Sequence, residues 1–131
     1  MSDPVQVLSH ARSLAVVGCS ATPGKDAHEV PKHMLAQGYE LYPVNPSAKE
    51  IFGKRVYASL ADVPRPIELV NVFRPAEEAP GIARQAVELG ARALWLQTGI
   101  RSPEARRIAE DAGLEYVEDA CVRVVQRMLQ R

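Results

Sequence analysis

The stretch of this chain best equipped for chemistry is Gly18-Cys19-Ser20-Ala21-Thr22-Pro23-Gly24-Lys25, a run of small and hydroxyl-bearing residues directly after the apolar segment Leu14–Val17. A strand that empties into such a loop and then into a helix presents backbone amides and the positive end of a helix dipole, which together make a phosphate cradle. Two specialised versions are disfavoured. The dinucleotide fingerprint Gly-x-Gly-x-x-Gly needs a glycine where Ser20 stands, so that the backbone can approach a pyrophosphate, and an acid closing the second strand where Asn45 stands. A Walker loop follows its lysine with Ser or Thr and sets its glycines closer; here Asp26 follows Lys25, and five residues separate Gly18 from Gly24. What remains is a generic anion loop with hydroxyls at Ser20 and Thr22 and charge at Lys25. An ordinary strand-to-helix turn is the plain alternative.

Other chemistries find little support. His28 and His33 stand five apart, off a common helical face, and with His10 they form no metal-ligand pattern; His28 is expected at the surface, the alternative being that it faces the ligand from the start of its helix. No Gly-x-Ser-x-Gly elbow occurs and no acid pair is marked out by spacing, so no catalytic residues are assigned.

The elements that must position the loop follow an alternating pattern. Asp3-Pro4 opens a short helix and Leu14–Val17 is a continuous apolar strand. A helix around Val30 and Met34 ends near Gly38, and Tyr39–Val44 is the second strand, closed by Asn45-Pro46. Ile51–Tyr57 reads as a short extended excursion and Ile67–Phe73 as the third strand. A helix over Pro75–Gly90 precedes the fourth strand, Ala93–Leu96; Ser102-Pro103-Glu104 starts the next helix. Leu114–Val117 is the fifth strand, and Asp119 is expected to cap a last helix. Strands alternating with helices predict an α/β fold: a Rossmann-like three-layer sandwich whose five-stranded parallel sheet, order 3-2-1-4-5, carries helices on both faces. A flavodoxin-like order is the alternative. In either case ligands bind at the carboxyl ends of the strands, which selects the loops 18–27, 45–50, 73–76, 97–102 and 118–121.

Composition bounds the partners. The 131 residues suit one domain spanning 1–131, and the formal net charge of +0 removes the positive surface that nucleic-acid binding would want. No apolar run approaches the length of a membrane span, and two distant cysteines without a secretory leader suggest a reducing cytoplasmic setting.

Taken together, Ala15-Val16-Val17-Gly18-Cys19-Ser20, Gly38-Tyr39, Tyr42-Pro43-Val44-Asn45-Pro46, Gly53-Lys54-Arg55-Val56-Tyr57-Ala58-Ser59-Leu60, Val72-Phe73-Arg74-Pro75, Ala93-Leu94-Trp95-Leu96-Gln97-Thr98-Gly99 and Cys121 resemble the small CoA-binding domain proteins. These are related to the N-terminal domain of the succinyl-CoA synthetase alpha subunit. The resemblance implies a protein that binds coenzyme A or an acyl-CoA, with no catalysis of its own. It implies that Gly18, Cys19, Ser20, Ala21, Thr22 and Lys25 form the phosphate loop, and that Asn45, Pro46 and Lys49 lie beside the nucleotide. Phe73, Arg74 and Pro75 would cover the adenosine side, and Gln97, Thr98 and Gly99 would follow the fourth strand. Two departures stand out: Cys19 replaces a commoner small residue, and Val122-Arg123-Val124-Val125 lacks an Ile-Glu-His ending. Cys19 and Cys121 are expected to be inert thiols, the alternative being a mixed disulfide with the CoA thiol. An NAD(P)-binding redox-sensing or oxidoreductase module, or a protein-interaction module with an empty site, are the competing readings.

Overall fold

The computed structural model describes residues 1–130. In chain order the elements are α1 (Pro4–Ser9), β1 (Ser13–Val17), α2 (Asp26–Ala36), β2 (Glu40–Val44), β3 (Glu50–Ile51), β4 (Lys54–Arg55), β5 (Leu69–Val72), α3 (Ala79–Glu88), β6 (Ala93–Leu96), α4 (Pro103–Asp111), β7 (Glu115–Val117) and α5 (Val122–Leu129). Short 3-10 turns at Leu60–Asp62 and Ala76–Glu78 complete the set.

The apolar strands are buried on both faces, as their lack of polar alternation requires. In β1, Leu14 and Val16 pack on the side of α1, α2 and α5, while Ala15 packs on the side of α3 and α4. In β6, Ala93 and Trp95 take the first face, Leu94 and Leu96 the second. Burying one such aliphatic side chain contributes about 1.5–3 kcal/mol, so the two cores hold the sheet between its helical layers. Trp95 is fully buried and its indole nitrogen donates to the Ala120 carbonyl at 2.8 Å.

All five strands of the main sheet pair in parallel, in the spatial order β2-β1-β5-β6-β7. The expected Rossmann-like sandwich is therefore present, with one reassignment. The place outside β2 belongs to a single parallel bridge, Val44 to Tyr57, and Ile67–Phe73 supplies β5 on the opposite side of β1. Counting that bridge, the sheet reads 3-2-1-4-5-6 in chain order; the five strands alone read 2-1-3-4-5. The direction of crossover reverses between β1 and β5, which puts the switch point at the carboxyl end of β1.

Two boundaries moved for local reasons. The helix expected over Pro75–Gly90 begins with the 3-10 turn and becomes α-helical at Ala79. Asp119 is no helix cap: it sits at φ 53°, its carboxylate accepts from the Gly99 amide at 2.7 Å and from Arg101 at 2.5 Å, and Cys121 occupies the N-cap of α5. By contrast Asp3 and Ser102 cap α1 and α4 as expected. No helix among the described residues is long and apolar enough to cross a membrane.

Candidate functional site

Two clefts open at the carboxyl edge. The larger, about 710 Å³, lies over the ends of β1, β2 and β5 and is lined by Gly18, Ser20, Lys25, Asn45, Pro46, Ser47, Ser59, Phe73 and Arg74, with Val17, Leu60 and Ile82 supplying apolar walls. The smaller, about 330 Å³, lies over β6 between the starts of α2 and α5, with Gln97, Thr98, Cys121 and Arg123 on its walls. Phe73 and Ala27 line both, so the two clefts adjoin across them.

Gly18 makes the first turn possible. It adopts φ +86°, and a Cβ there would come 2.8 Å from Arg74 Cδ and 3.2 Å from the Phe73 carbonyl oxygen. Its amide donates to Val44, while Phe73 donates to Val17, so the loops after β1, β2 and β5 leave the sheet locked together. The loop Cys19–Lys25 is then tied inward. The Ser20 amide donates to the Ala27 carbonyl at 2.9 Å, Thr22 donates to Ser20 Oγ at 3.0 Å, and Gly24 donates to Glu29 Oε2 at 3.1 Å. That last bond holds the Glu29 carboxyl below the usual range. Asn45 fastens the second loop to the first: its Nδ2 donates to the Cys19 carbonyl at 2.9 Å, and its Oδ1 accepts from Ser47 and Ala48.

The start of α2 is chemically open. Lys25 occupies the N-cap without a side-chain cap, so no side chain accepts from the first amides of the helix, and Ala27 in its first turn lines both clefts. Helix-start amides without a capping side chain are ready donors to an anion.

Charge at this edge is sparser than the positions of Lys25, Lys49 and Arg74 suggest. Arg74 is paired in a fork with Glu78, Nε to Oε1 at 3.1 Å and Nη2 to Oε2 at 2.7 Å, which keeps the guanidinium charged but largely neutralised. Lys25 has no ion-pair partner among the described residues and is exposed at the cleft. Lys49 is exposed but lines neither cleft, and neither do Ala21, Thr22, Pro75 or Gly99. Gln97 is buried, and its Oε1 accepts from Asn71 at 3.2 Å and from the Val122 amide at 2.9 Å, a bond that steadies the start of α5.

Cys19 is fully buried, and burial pushes its thiol up to about 12, so it offers no nucleophile to either cleft. Cys121 is partly exposed. The surface position expected for His28 is not the one it takes. Instead of lying on the surface, its side chain is only 12% exposed, with Nδ1 2.8 Å from the Ser20 carbonyl and its ring 4.8 Å from that of Phe52. Among the described residues, no group of three or more His, Cys, Asp or Glu side chains gathers in metal-binding geometry.

Comparison with known proteins places this arrangement. A Bacillus subtilis protein, YneT, is 37% identical over 119 residues, covering 91% of this chain and 88% of its own. A solved Thermus thermophilus protein superposes with a TM-score of 0.91 at 34% identity, over 98% of this chain and all of that one (100%). The alpha subunit of the ADP-forming acetate–CoA ligase I of Pyrococcus furiosus is 31% identical over 94 residues, 67% of this chain but only 20% of the ligase subunit. The CoA binding domain family matches residues 12–127, from the start of β1 to the last turn of α5, and the chain belongs to that family.

Proposed function

We propose that this chain binds coenzyme A or an acyl-CoA along the carboxyl edge of its sheet and performs no chemistry of its own. The observation that carries the reading is the 710 Å³ cleft at the switch point, where the uncapped start of α2, the Ser20 hydroxyl and Lys25 stand beside apolar walls. Family membership supplies the ligand class.

CoA brings a diphosphate, a 3′-phosphate, an adenine and a flexible pantetheine arm. In this reading the diphosphate lies on the Gly18–Lys25 loop, held by backbone amides, Ser20 and Lys25, with Thr22 and Ala21 contributing from the rim. The adenosine side rests on Asn45, Pro46, Phe73 and Arg74, with Pro75 shaping the turn and Lys49 adding charge from outside. The arm crosses Phe73 toward Gln97, Thr98 and Gly99. Oriented amides suit a chain whose formal net charge is +0, because they bind phosphate without a basic surface.

Asn45 argues against a pyridine nucleotide. Its side chain is spent on Cys19, Ser47 and Ala48, where a dinucleotide site would offer a carboxylate to the ribose. Free cysteines fit a reducing cytoplasm. Mass spectrometry of small molecules released from purified protein tests the assignment: CoA or an acyl-CoA is expected, and NAD(P) in its place overturns it.

A further inference from the structure

The β3–β4 hairpin has an unusual tip. Phe52 and Gly53 adopt φ of 57° and 71°, the two left-handed positions of a two-residue type I′ turn. Asn or Asp is favoured at the first of these, and a bulky aromatic there holds the backbone under strain. The ring meets His28, with centroids 4.8 Å apart and planes tilted by 52°. His28 in turn holds the Ser20 carbonyl through Nδ1 at 2.8 Å, which requires that nitrogen to carry the proton. Since C=O and N–H of a trans peptide point in opposite directions, fixing the Ser20 carbonyl on His28 also fixes the Ala21 amide pointing away from the ring. The hairpin is anchored beneath: Ile51 is 3% exposed in the core shared with α2 and α5, and Phe52 and Val56 pack on that core.

We propose that the β3–β4 hairpin clamps the phosphate loop, with Phe52 and His28 as positioning residues that set the orientation of the Ser20–Ala21 peptide and so the affinity for the CoA phosphates. The inference rests on the CoA-binding reading for its ligand but not for its mechanics. The ring of the strained aromatic immobilises His28, and His28 immobilises the loop before ligand arrives, lowering the ordering cost of binding.

Three variants test this. Phe52→Asn leaves an Asn-Gly type I′ turn, which preserves the hairpin and removes the ring. His28→Phe keeps the aromatic packing and removes the Ser20 hydrogen bond; Phe52→Tyr keeps the ring. Amide hydrogen exchange of residues 20–25 in ligand-free protein is expected to quicken in the first two variants and to match wild type in Phe52→Tyr. CoA affinity by calorimetry is expected to fall about tenfold in the same two, equivalent to about 1.4 kcal/mol. Wild-type loop exchange in both Phe52→Asn and His28→Phe overturns the clamp. Failure of wild-type protein to bind CoA overturns the ligand reading instead, while the exchange comparison still decides the clamp.

Discussion

Replacing Gly18 by Ala separates two demands that this position makes. One is conformational: at φ +86° an L side chain costs about 1–2 kcal/mol. The other is proximity. The new Cβ would stand 2.8 Å from Arg74 Cδ and 3.2 Å from the Phe73 carbonyl oxygen. Arg74 can swing aside only by loosening its pairing with Glu78, an exposed contact worth about 0.2–1 kcal/mol. The Phe73 carbonyl belongs to the backbone just after β5 and must move with it. Together these predict a loss of about 2–3 kcal/mol, a fall in Tm of about 7–11 °C for a chain of this size. Gly38→Ala is the control, because Gly38 has a similar φ of +95° and nothing within 4 Å of its Cβ position, so it carries the strain alone. Urea denaturation of both variants gives the difference. The close approach also shapes the large cleft, so Gly18→Ala should weaken CoA binding and Gly38→Ala should not. Equal stability losses in the two variants, or unchanged CoA affinity in Gly18→Ala, would refute the claim that Gly18 is required by the packing of the three loops.

Two further outcomes follow from groups with altered chemistry. A thiol reagent applied to folded protein at pH 8 should modify Cys121 and spare Cys19, since Cys19 is 0% exposed and its thiol is raised to about 12; peptide mapping by mass spectrometry would show it, and equal labelling of both would contradict the burial. Burial pushes the Glu68 carboxyl up, but hydrogen bonds from the Arg12 amide and from the Ser13 hydroxyl and amide outweigh it and hold its pKa below the usual value. A carboxylate with a depressed folded pKa stabilises the protein above its unfolded pKa of about 4.3 and loses that contribution as pH falls through the folded value. The stability gap between wild type and Glu68→Gln should therefore be full at pH 7 and close below about pH 4; a gap independent of pH would show that the Glu68 charge does not stabilise the fold.

Much of the fold could be read from the chain because its signals are local. A four-residue apolar run such as Ala93–Leu96, following the turn at Gly90, is too short for a helix and reads as a strand covered on both sides, and Ser102-Pro103-Glu104 marks a helix start through chemistry confined to adjacent residues. The place beside β2 escaped because it is filled by one bridge at Tyr57, too short to show any periodicity. Asp119 looked like a cap because Asp caps helices, yet its carboxylate is drawn to Gly99 and Arg101, which lie 20 and 18 residues earlier. The loops carrying the candidate site were legible from topology, but the state of their side chains was not. Burial of Cys19 is a tertiary fact, and the tilted ring contact of Phe52 with His28 joins residues with no common spacing. The Arg74–Glu78 pair did have a local signal, the i,i+4 spacing on which an ion pair forms.

If the loop and helix start at the end of β1 hold the phosphates of CoA, a thermal-shift panel shows it most directly. At a hundredfold excess over Kd a ligand adds about 2.7 kcal/mol, or about 10 °C in Tm for a chain of this length. CoA or acetyl-CoA should give a rise of this order, and NAD or NADP none. A rise with the pyridine nucleotides and no response to either CoA species would contradict the CoA reading.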